Sequence, residues 1–161
     1  MEWKRIDGYE NYSVSSTGDV RNDTTGRIMK QKLDNGYCRL CLCKNNKKKF
    51  HLIHRLVSIA FIPLEVGRDC VDHIDGDKTN NSLTNLRWCT RQENQRNLPI
   101  NKTNTSGVKG VTFANKKWRA QIRIDGKKIH LGLYETIEEA SRARSARAEQ
   151  VFGPFMNACE K

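Results

Sequence analysis

The sequence contains no long hydrophobic run. Apolar residues make up 37% of the chain in short, scattered groups, and no stretch approaches the roughly 20 apolar residues that a membrane-spanning helix requires. The opening segment from Met1 to Arg5 is polar and charged, and it lacks the apolar core of a secretory signal. These absences predict a soluble, cytoplasmic protein without a membrane partner.

Acidic residues are in deficit. The 161-residue chain has 18 Asp and Glu against 29 Lys and Arg, which gives a formal net charge of +11. Residues 1–66 contribute +5 and residues 100–161 contribute +6, whereas residues 67–99 are balanced. A positive field attracts polyanions and speeds their capture, which favours nucleic acid as the partner over a merely soluble basic protein. The acidic residues of the middle segment suit a cation site.

Disulfide bonds are not expected, because cytosolic thiols stay reduced. The chain contains six cysteines: Cys38, Cys41, Cys43, Cys70, Cys89 and Cys159. The first three are closely spaced, and the fourth and fifth could complete a structural zinc site. The alternative is that Tyr37–Cys43 forms a strand whose small thiols pack in an apolar interior. We favour buried free thiols and leave the zinc site open.

Turn signals divide the first segment into short β-like runs. Candidate strands are Tyr12–Ser15, Val20–Asn22 and Tyr37–Cys43. A helix is predicted to follow, because apolar residues from Ile53 to Phe61 recur at helical spacing before Pro63 ends the pattern. The first segment is therefore predicted to be a β-rich module that leads into a helix.

The third segment alternates between apolar and polar residues. Lys117–Asp125 is predicted to form a strand, and Asp125-Gly126 a tight turn into a second strand that ends at Tyr134. Gly110–Ala114 supplies a third strand, and Thr136 to Glu139 form a capping box that starts a helix reaching about residue 151. Four alanines are expected to bring this helix close to the sheet: Ala140, Ala143, Ala146 and Ala148.

One face of this predicted sheet carries hydrogen-bond donors. The alternation places Ile129, Leu131 and Leu133 on the buried face of the last strand and Tyr134 on the polar face. The polar face is expected to show Arg119, Gln121, Arg123, Lys128 and His130. Such a face can simply be solvated, but Arg and Gln are suited to paired hydrogen bonds with guanine and adenine edges. We therefore favour contact with DNA.

The chemistry is concentrated in the middle segment. Phosphodiester hydrolysis needs a base for water and a cation for the phosphate charge. His73 can act as the base, because imidazole titrates near neutral pH. Asp72, facing the other way on an extended strand, and Asn94, in the helix after Thr90, can supply oxygen ligands for Mg²⁺ or Mn²⁺. Asn85 can bond across the loop and hold His73 in orientation.

The set of Asp72-His73, Asn85-Leu86 and Asn94 resembles the motif of HNH endonucleases, which have a ββα-metal fold. Asn94 stands where the last histidine of the motif would be, a variant of phage homing endonucleases. The resemblance implies that Asp72 and Asn94 bind the metal, His73 is the general base and Asn85 is structural. It also implies products with a 5′-phosphate and a 3′-hydroxyl.

The flanking segments resemble DNA-binding modules. The stretch from Trp3 to Arg21 is similar to the amino-terminal module of such nucleases. The third segment resembles the DNA-binding domain of plant ethylene-response factors, through Lys117-Trp118, Gln121-Ile122-Arg123 and Leu131-Gly132. That domain usually has arginine at the positions of Lys109 and Thr112, so its base preference cannot be transferred.

We therefore predict an α+β chain with a β-rich module at 1–48, a ββα-metal HNH core at 49–98, a linker at 99–107 and a three-stranded antiparallel sheet on one helix at 108–161. The predicted activity is metal-dependent cleavage of double-stranded DNA, with a nick if the protein is a monomer, which we favour. The alternatives are a non-catalytic DNA-binding regulator and RNA cleavage. The residues expected to contact DNA are Lys109, Arg119, Gln121, Arg123, Lys128, His130, Arg87 and Arg91.

Overall fold

The computed structural model describes residues 1–98, 100–101 and 103–156, and it has the predicted mixture of small sheets and helices. The chain divides into two compact units, Met1–Asn94 and Gln95–Lys161. No helix among the described residues is long and apolar enough to cross a membrane.

The first unit is built from small antiparallel sheets around one helix. β1 (Trp3–Ile6), β2 (Tyr9–Ser15) and β3 (Val20–Asn22) form one sheet in that order. β4 (Lys32–Asp34), β5 (Tyr37–Lys44) and β6 (Lys47–Leu52) form the next. Helix α1 (Ile53–Phe61) follows directly and ends before Pro63, as predicted.

The middle of the chain forms a two-stranded sheet followed by a helix. β7 (Cys70–His73) pairs antiparallel with β8 (Leu86–Cys89), and a 3₁₀ turn (Leu83–Asn85) precedes β8. Helix α2 (Arg91–Arg96) comes next, and the boundary between the two units falls within it.

The core of the first unit lies where α1 meets these sheets. Val14, Leu42, Ile53 and Val57 are fully buried, because the apolar stripe of α1 faces the inner sides of β2 and β5. Trp88 on β8 joins the same cluster, and its indole Nε1 donates to the Ile62 carbonyl at 3.1 Å. This core ties the amino-terminal sheets to β7 and β8.

The second unit is a three-stranded sheet packed on one helix, as predicted. β9 (Val111–Ala114), β10 (Lys117–Ile124) and β11 (Lys127–Tyr134) form a sheet with β10 in the centre. Helix α3 (Ile137–Phe152) starts with the expected capping box between Thr136 and Glu139, and a 3₁₀ turn (Gly153–Phe155) follows it. The core contains Ala120, Ile122, Ala140, Ala148 and Phe152.

The predicted alternation along β11 is wrong after Leu131. Ala120 pairs with Gly132 but Gln121 pairs with His130, so Leu131 is an extra residue in the strand. This bulge reverses the side-chain faces, so Leu133 lies opposite Arg119 and is 51% exposed, whereas Tyr134 lies opposite Trp118 and packs on the core. Lys128 and His130 lie on the predicted polar face, because they come before the bulge along the chain.

The structure differs in detail from three further expectations, which concern α3, the linker and the cysteines. Ala146 is exposed on α3, so it does not bring the helix to the sheet. Part of the expected linker is folded into turns, because Ser106 Oγ donates to the Val111 carbonyl at 2.7 Å and Asn104 Nδ2 donates to the Val108 carbonyl at 2.9 Å. The five cysteines of the described residues are free thiols, but the predicted burial holds fully only for Cys89. Cys38, Cys41 and Cys70 are half-buried, and the prediction is wrong for Cys43, which is exposed near the end of β5. Cys159 lies outside the described residues.

Candidate active site

The register of β7 and β8 determines the surroundings of Asp72 and His73. Asp72 lies opposite Arg87, and His73 lies opposite Leu86. Neighbouring residues of a strand point to opposite faces, so the carboxylate and the imidazole lie on different sides of the two-stranded sheet. Both side chains are buried, with relative exposures of 3% and 5%. The sheet thus holds a carboxylate and an imidazole in fixed positions on its two faces.

Arg87 forms a close ion pair with Asp72. Its Nε and one terminal nitrogen lie 2.8 and 2.6 Å from Asp72 Oδ2. Sequence reasoning assigned Arg87 to DNA, but the structure places its guanidinium on the carboxylate that is expected to bind metal. A charge-assisted pair of this geometry is strong, so a cation at Asp72 has to compete with Arg87 or share the carboxylate with it.

Asn81 determines the direction of the His73 ring. Asn81 Nδ2 donates to the Thr79 carbonyl at 3.0 Å, which fixes the orientation of the carboxamide because a carbonyl only accepts. Asn81 Oδ1 therefore faces His73 Nε2, at 3.3 Å. Since Oδ1 carries no proton, Nε2 is the protonated nitrogen and the lone pair of the neutral ring is on Nδ1. The His73 ring is thereby held with Nε2 towards Asn81.

Two more rings surround His73. The His54 ring centroid lies 5.2 Å from that of His73 in an edge-to-face arrangement, and the Tyr37 centroid lies 6.2 Å away. His54 is buried, and its Nδ1 has no hydrogen-bond partner among the described residues. Burial, with smaller contributions from the nearby His73 and Arg55, lowers the pKa of His54 from 6.5 to about 4. His54 is therefore uncharged at neutral pH.

The lowered pKa of His54 predicts that the fold is less stable in acid. His54 binds a proton more tightly in the unfolded chain, where its pKa is 6.5, than in the folded protein, where it is about 4. The folded protein therefore has its full stability above pH 6.5 and loses stability as the pH falls towards 4. We expect wild type to lose on the order of 2 kcal/mol more stability than His54→Phe between pH 7 and pH 5. Denaturant unfolding of both proteins at each pH measures this difference. Equal losses in the two proteins would contradict the assignment.

Asn85 anchors the loop that follows His73. Its Oδ1 accepts from the Asp75 amide at 3.0 Å, and its Nδ2 donates to Asp75 Oδ1 and to the Asn80 carbonyl, each at 2.9 Å. Its own carbonyl accepts from the Ile74 amide at 2.9 Å. Burial raises the pKa of Asp75, but hydrogen bonds from Asn80 and Asn85 outweigh it and the pKa is lowered overall. Asn85 thus closes the loop across its base.

Asn94 lies in the first turns of α2. Thr90 caps this helix, because its Oγ1 accepts from the Glu93 amide at 3.1 Å while Glu93 Oε2 accepts from the Thr90 amide at 2.8 Å. The Asn94 amide then donates to the Thr90 carbonyl at 3.0 Å, and its side chain is half-buried. Arg91, another expected DNA contact, is exposed at the start of the helix.

Cys89 connects the surroundings of Asp72 with those of α2. Burial, followed by the negative charges of Asp72, Cys70 and Glu93, raises the pKa of Cys89 to about 12. The thiol therefore stays protonated, and it donates to the Cys70 carbonyl at 3.6 Å. The charges of Asp72 on β7 and Glu93 on α2 thus both act on the thiol at the end of β8.

The donor set fits a hard divalent cation better than zinc. Among the described residues, no group of three or more His, Cys, Asp or Glu side chains is arranged to hold a metal ion. Mg²⁺ is commonly held by only one or two carboxylates together with substrate phosphates and water. The carboxylate of Asp72 and the amide oxygen of Asn94 would both be hard oxygen ligands of the kind that Mg²⁺ takes.

The exposed face of the second unit matches the expected polar surface. Arg119, Gln121, Lys128 and His130 line a shallow concavity of about 400 Å³, together with Leu133. Arg123 lies opposite Lys128 at the end of the same face. We call this surface the sheet face. The structure does not place Lys109 in the lining of this concavity, because its Nζ donates to the carbonyls of Arg96 and Leu98 at 2.8 and 2.9 Å.

Comparison with known proteins identifies two stretches of the chain. Residues 1–43 match the NUMOD4 motif, and residues 51–96 match the HNH endonuclease family. DNA endonuclease I-HmuI of Bacillus phage SP01 is 46% identical over 99 residues, which cover 60% of this chain and 57% of that protein. The chain therefore spans less than two thirds of this curated relative.

The resemblance of the third segment to the plant domain has weaker support. An ethylene-responsive transcription factor-like protein of Arabidopsis thaliana is 35% identical over 52 residues, which cover 32% of this chain and 23% of that protein.

A solved structure extends the match over most of the chain. The structure that describes DNA binding and cleavage by the HNH homing endonuclease I-HmuI is 37% identical, with a TM-score of 0.57. The match covers 88% of this chain and 82% of that chain. With the family matches and the paired β7 and β8 leading into α2, these similarities show that the chain belongs to the HNH endonuclease family.

Proposed function

We propose that this protein is a divalent-metal-dependent DNA endonuclease that hydrolyses phosphodiester bonds to 5′-phosphate and 3′-hydroxyl ends. His73 is the general base, and Asp72 and Asn94 hold Mg²⁺ or Mn²⁺. Asn85 braces the loop between the base and β8. The observation that carries the proposal is the buried Asp72-His73 pair, with its two side chains on opposite faces of one short strand.

Each of these residues has a defined task. His73 takes a proton from water at Nδ1, while Asn81 holds the opposite nitrogen. Asp72 and Asn94 bring hard oxygen ligands to the scissile phosphate from a strand and from a helix. The bound cation supplies neutralisation of the phosphate charge. Arg87 pairs with Asp72 Oδ2, so a bound cation would share this carboxylate with the guanidinium or displace it.

Incubation of supercoiled plasmid with the protein tests the activity. One active site cuts one strand, so a monomer is expected to give open circles in the presence of Mg²⁺ and none in the presence of a chelator. DNA ligase should reseal the nicks directly, because it requires a 5′-phosphate next to a 3′-hydroxyl. Plasmid that is bound but never cut would contradict the nuclease assignment and favour a regulator.

We also propose that the sheet face binds double-stranded DNA. The face is rich in donors and lies on the side of the sheet opposite α3, so it is open to a ligand. Its Arg and Gln side chains have the geometry for paired contacts with bases in the major groove, which in duplex RNA is too narrow for side chains to read. We propose that the protein reaches this DNA in the cytoplasm of a host cell.

Replacing Arg119 or Arg123 with alanine is expected to weaken duplex binding by about 1 to 3 kcal/mol if the residue reads a base. If it contacts phosphate, the slope of log affinity against log salt should fall by about 1. Fluorescence anisotropy with duplex and single-stranded oligonucleotides over a range of salt concentrations measures both. Arg142→Ala is the matched control, because Arg142 is exposed on α3. Equal effects of the sheet and control variants would contradict the proposal.

A further inference from the structure

The amino-terminal sheet touches the loop that carries Asn81. The turn between β2 and β3, residues Ser16–Gly18, accepts a hydrogen bond from this loop, because the Leu83 amide donates to the Ser16 carbonyl at 2.8 Å. The turn is itself held on its other side, since Gln31 Nε2 donates to the Gly18 carbonyl at 2.9 Å. We call these three residues the Ser16–Gly18 turn.

The contact at Gly18 leaves no room for a side chain. Its φ is +93°, a conformation that favours glycine. A Cβ at this position would lie 2.9 Å from Asn81 Cβ, 3.2 Å from the Asn81 carbonyl oxygen and 3.4 Å from Ile53 Cγ2. Asn81 thus lies directly against the backbone of Gly18, and its exposure is only 5%.

A buried residue this close to a rigid backbone cannot move without the turn. The turn is stiffened by Ser15, whose fully buried hydroxyl accepts from the Asp19 amide at 2.9 Å. The hydrogen bond from His73 Nε2 to Asn81 Oδ1 then restrains the His73 ring. Orientation matters here because a displacement of about 1 Å at a reacting group can cost about 100-fold in rate.

We propose that Asn81 is a positioning residue for His73 and that the Ser16–Gly18 turn sets the place of Asn81. This inference rests on the proposed role of His73 as general base. The amino-terminal sheet then has a second role besides any contact with DNA, because its turn holds Asn81 against His73. Moving the turn should therefore change the rate of cleavage and leave the affinity for DNA nearly unchanged.

Gly18→Ala and Asn81→Ala are expected to lower the single-turnover cleavage rate by about 10- to 100-fold, with dissociation constants for DNA within about twofold of wild type. Asn81→Asp keeps an oxygen facing His73, so it should recover part of the lost rate. Gly26→Ala is the matched control for the turn. Gly26 also has a positive φ, of +69°, but nothing lies within 4 Å of a Cβ there.

A spectroscopic measurement tests the contact apart from activity. In ¹⁵N NMR spectra of the full chain, neutral His73 should be protonated at Nε2 in wild type and in Gly26→Ala. Gly18→Ala and Asn81→Ala should shift the ring towards a mixture of the two tautomers. If wild type fails to cut DNA yet shows this pattern, the proposed function is wrong and the positioning contact stands.

Two results would overturn the inference. One is an unchanged cleavage rate in a folded Asn81→Ala protein. The other is a wild-type His73 protonated mainly at Nδ1. If Gly18→Ala does not fold, as thermal unfolding would show, the two Asn81 variants and the wild-type spectrum still decide the outcome.

Discussion

His73→Ala is expected to lower the rate of plasmid nicking by about 10² to 10⁴-fold, which is the usual contribution of a positioned general base. The variant should still bind the plasmid with near wild-type affinity, because a buried imidazole adds little to the attraction of phosphate. Single-turnover nicking with excess protein, together with a gel-shift titration on the same DNA, separates rate from affinity.

His51→Ala is a suitable control for this experiment. His51 is the half-buried histidine of the first unit and lies on β6. Its Nε2 is 2.9 Å from the Tyr9 hydroxyl. It should cut at close to the wild-type rate. A folded His73→Ala protein that nicks as fast as wild type would exclude His73 as the base.

Loss of the metal ligands is expected to have a comparable effect. Asp72→Asn removes the negative charge that attracts the cation, and Asn94→Ala removes the second oxygen. Each should raise the Mg²⁺ concentration needed for half-maximal nicking by at least about 10-fold and lower the maximal rate, because ligand geometry determines how the phosphate charge is neutralised. Asn94→Asp, unlike Asn94→Ala, should bind the metal, since a carboxylate is a stronger ligand for Mg²⁺ than an amide.

Asp72→Asn also breaks the ion pair with Arg87, so stability must be measured in parallel. Removing one partner of a buried pair costs about 3 to 5 kcal/mol, and the partial exposure of Arg87 should keep the loss below that range. Asn94→Ala lacks this complication. If Asn94→Ala keeps the wild-type dependence on Mg²⁺, Asn94 is not a ligand.

The elements of the fold were largely predictable because their sequence patterns are local. The period of two along β10, the stripe of α1 and the capping box of α3 each describe a few neighbouring residues. The bulge at Leu131 was missed because an inserted residue leaves no mark in a run of apolar and polar residues that already alternates. Only the pairing with β10 shows that Leu133 joins the sheet face and Tyr134 leaves it.

The candidate site was predictable in its residue types but not in its contacts. Asp72, His73, Asn85 and Asn94 could be selected because few side chains provide a base and oxygen ligands. The contact of Arg87 with Asp72 could not be predicted, because it depends on the register of two strands separated by a 12-residue loop. That register is a property of the folded loop.

Asn81 was overlooked for a similar reason. It stands in Asn80-Asn81-Ser82, among residues that commonly form turns, and its role depends on a contact with Gly18, which lies 63 positions earlier. Lys109 also makes contacts that its position in the sequence does not reveal. Its place in the resemblance to the plant domain predicts contact with DNA, and in the structure its ammonium group donates to two backbone carbonyls.

The position of the bound cation decides whether Asp72 and Asn94 are the metal ligands. Crystals of His73→Ala with duplex DNA and Mn²⁺ would keep the substrate uncut, and anomalous scattering would locate the ion. We expect one peak at coordination distance, about 2 to 2.5 Å, from oxygens of both Asp72 and Asn94, with a phosphate oxygen completing the site. A peak held by other side chains, with Asp72 still paired only to Arg87, would contradict it.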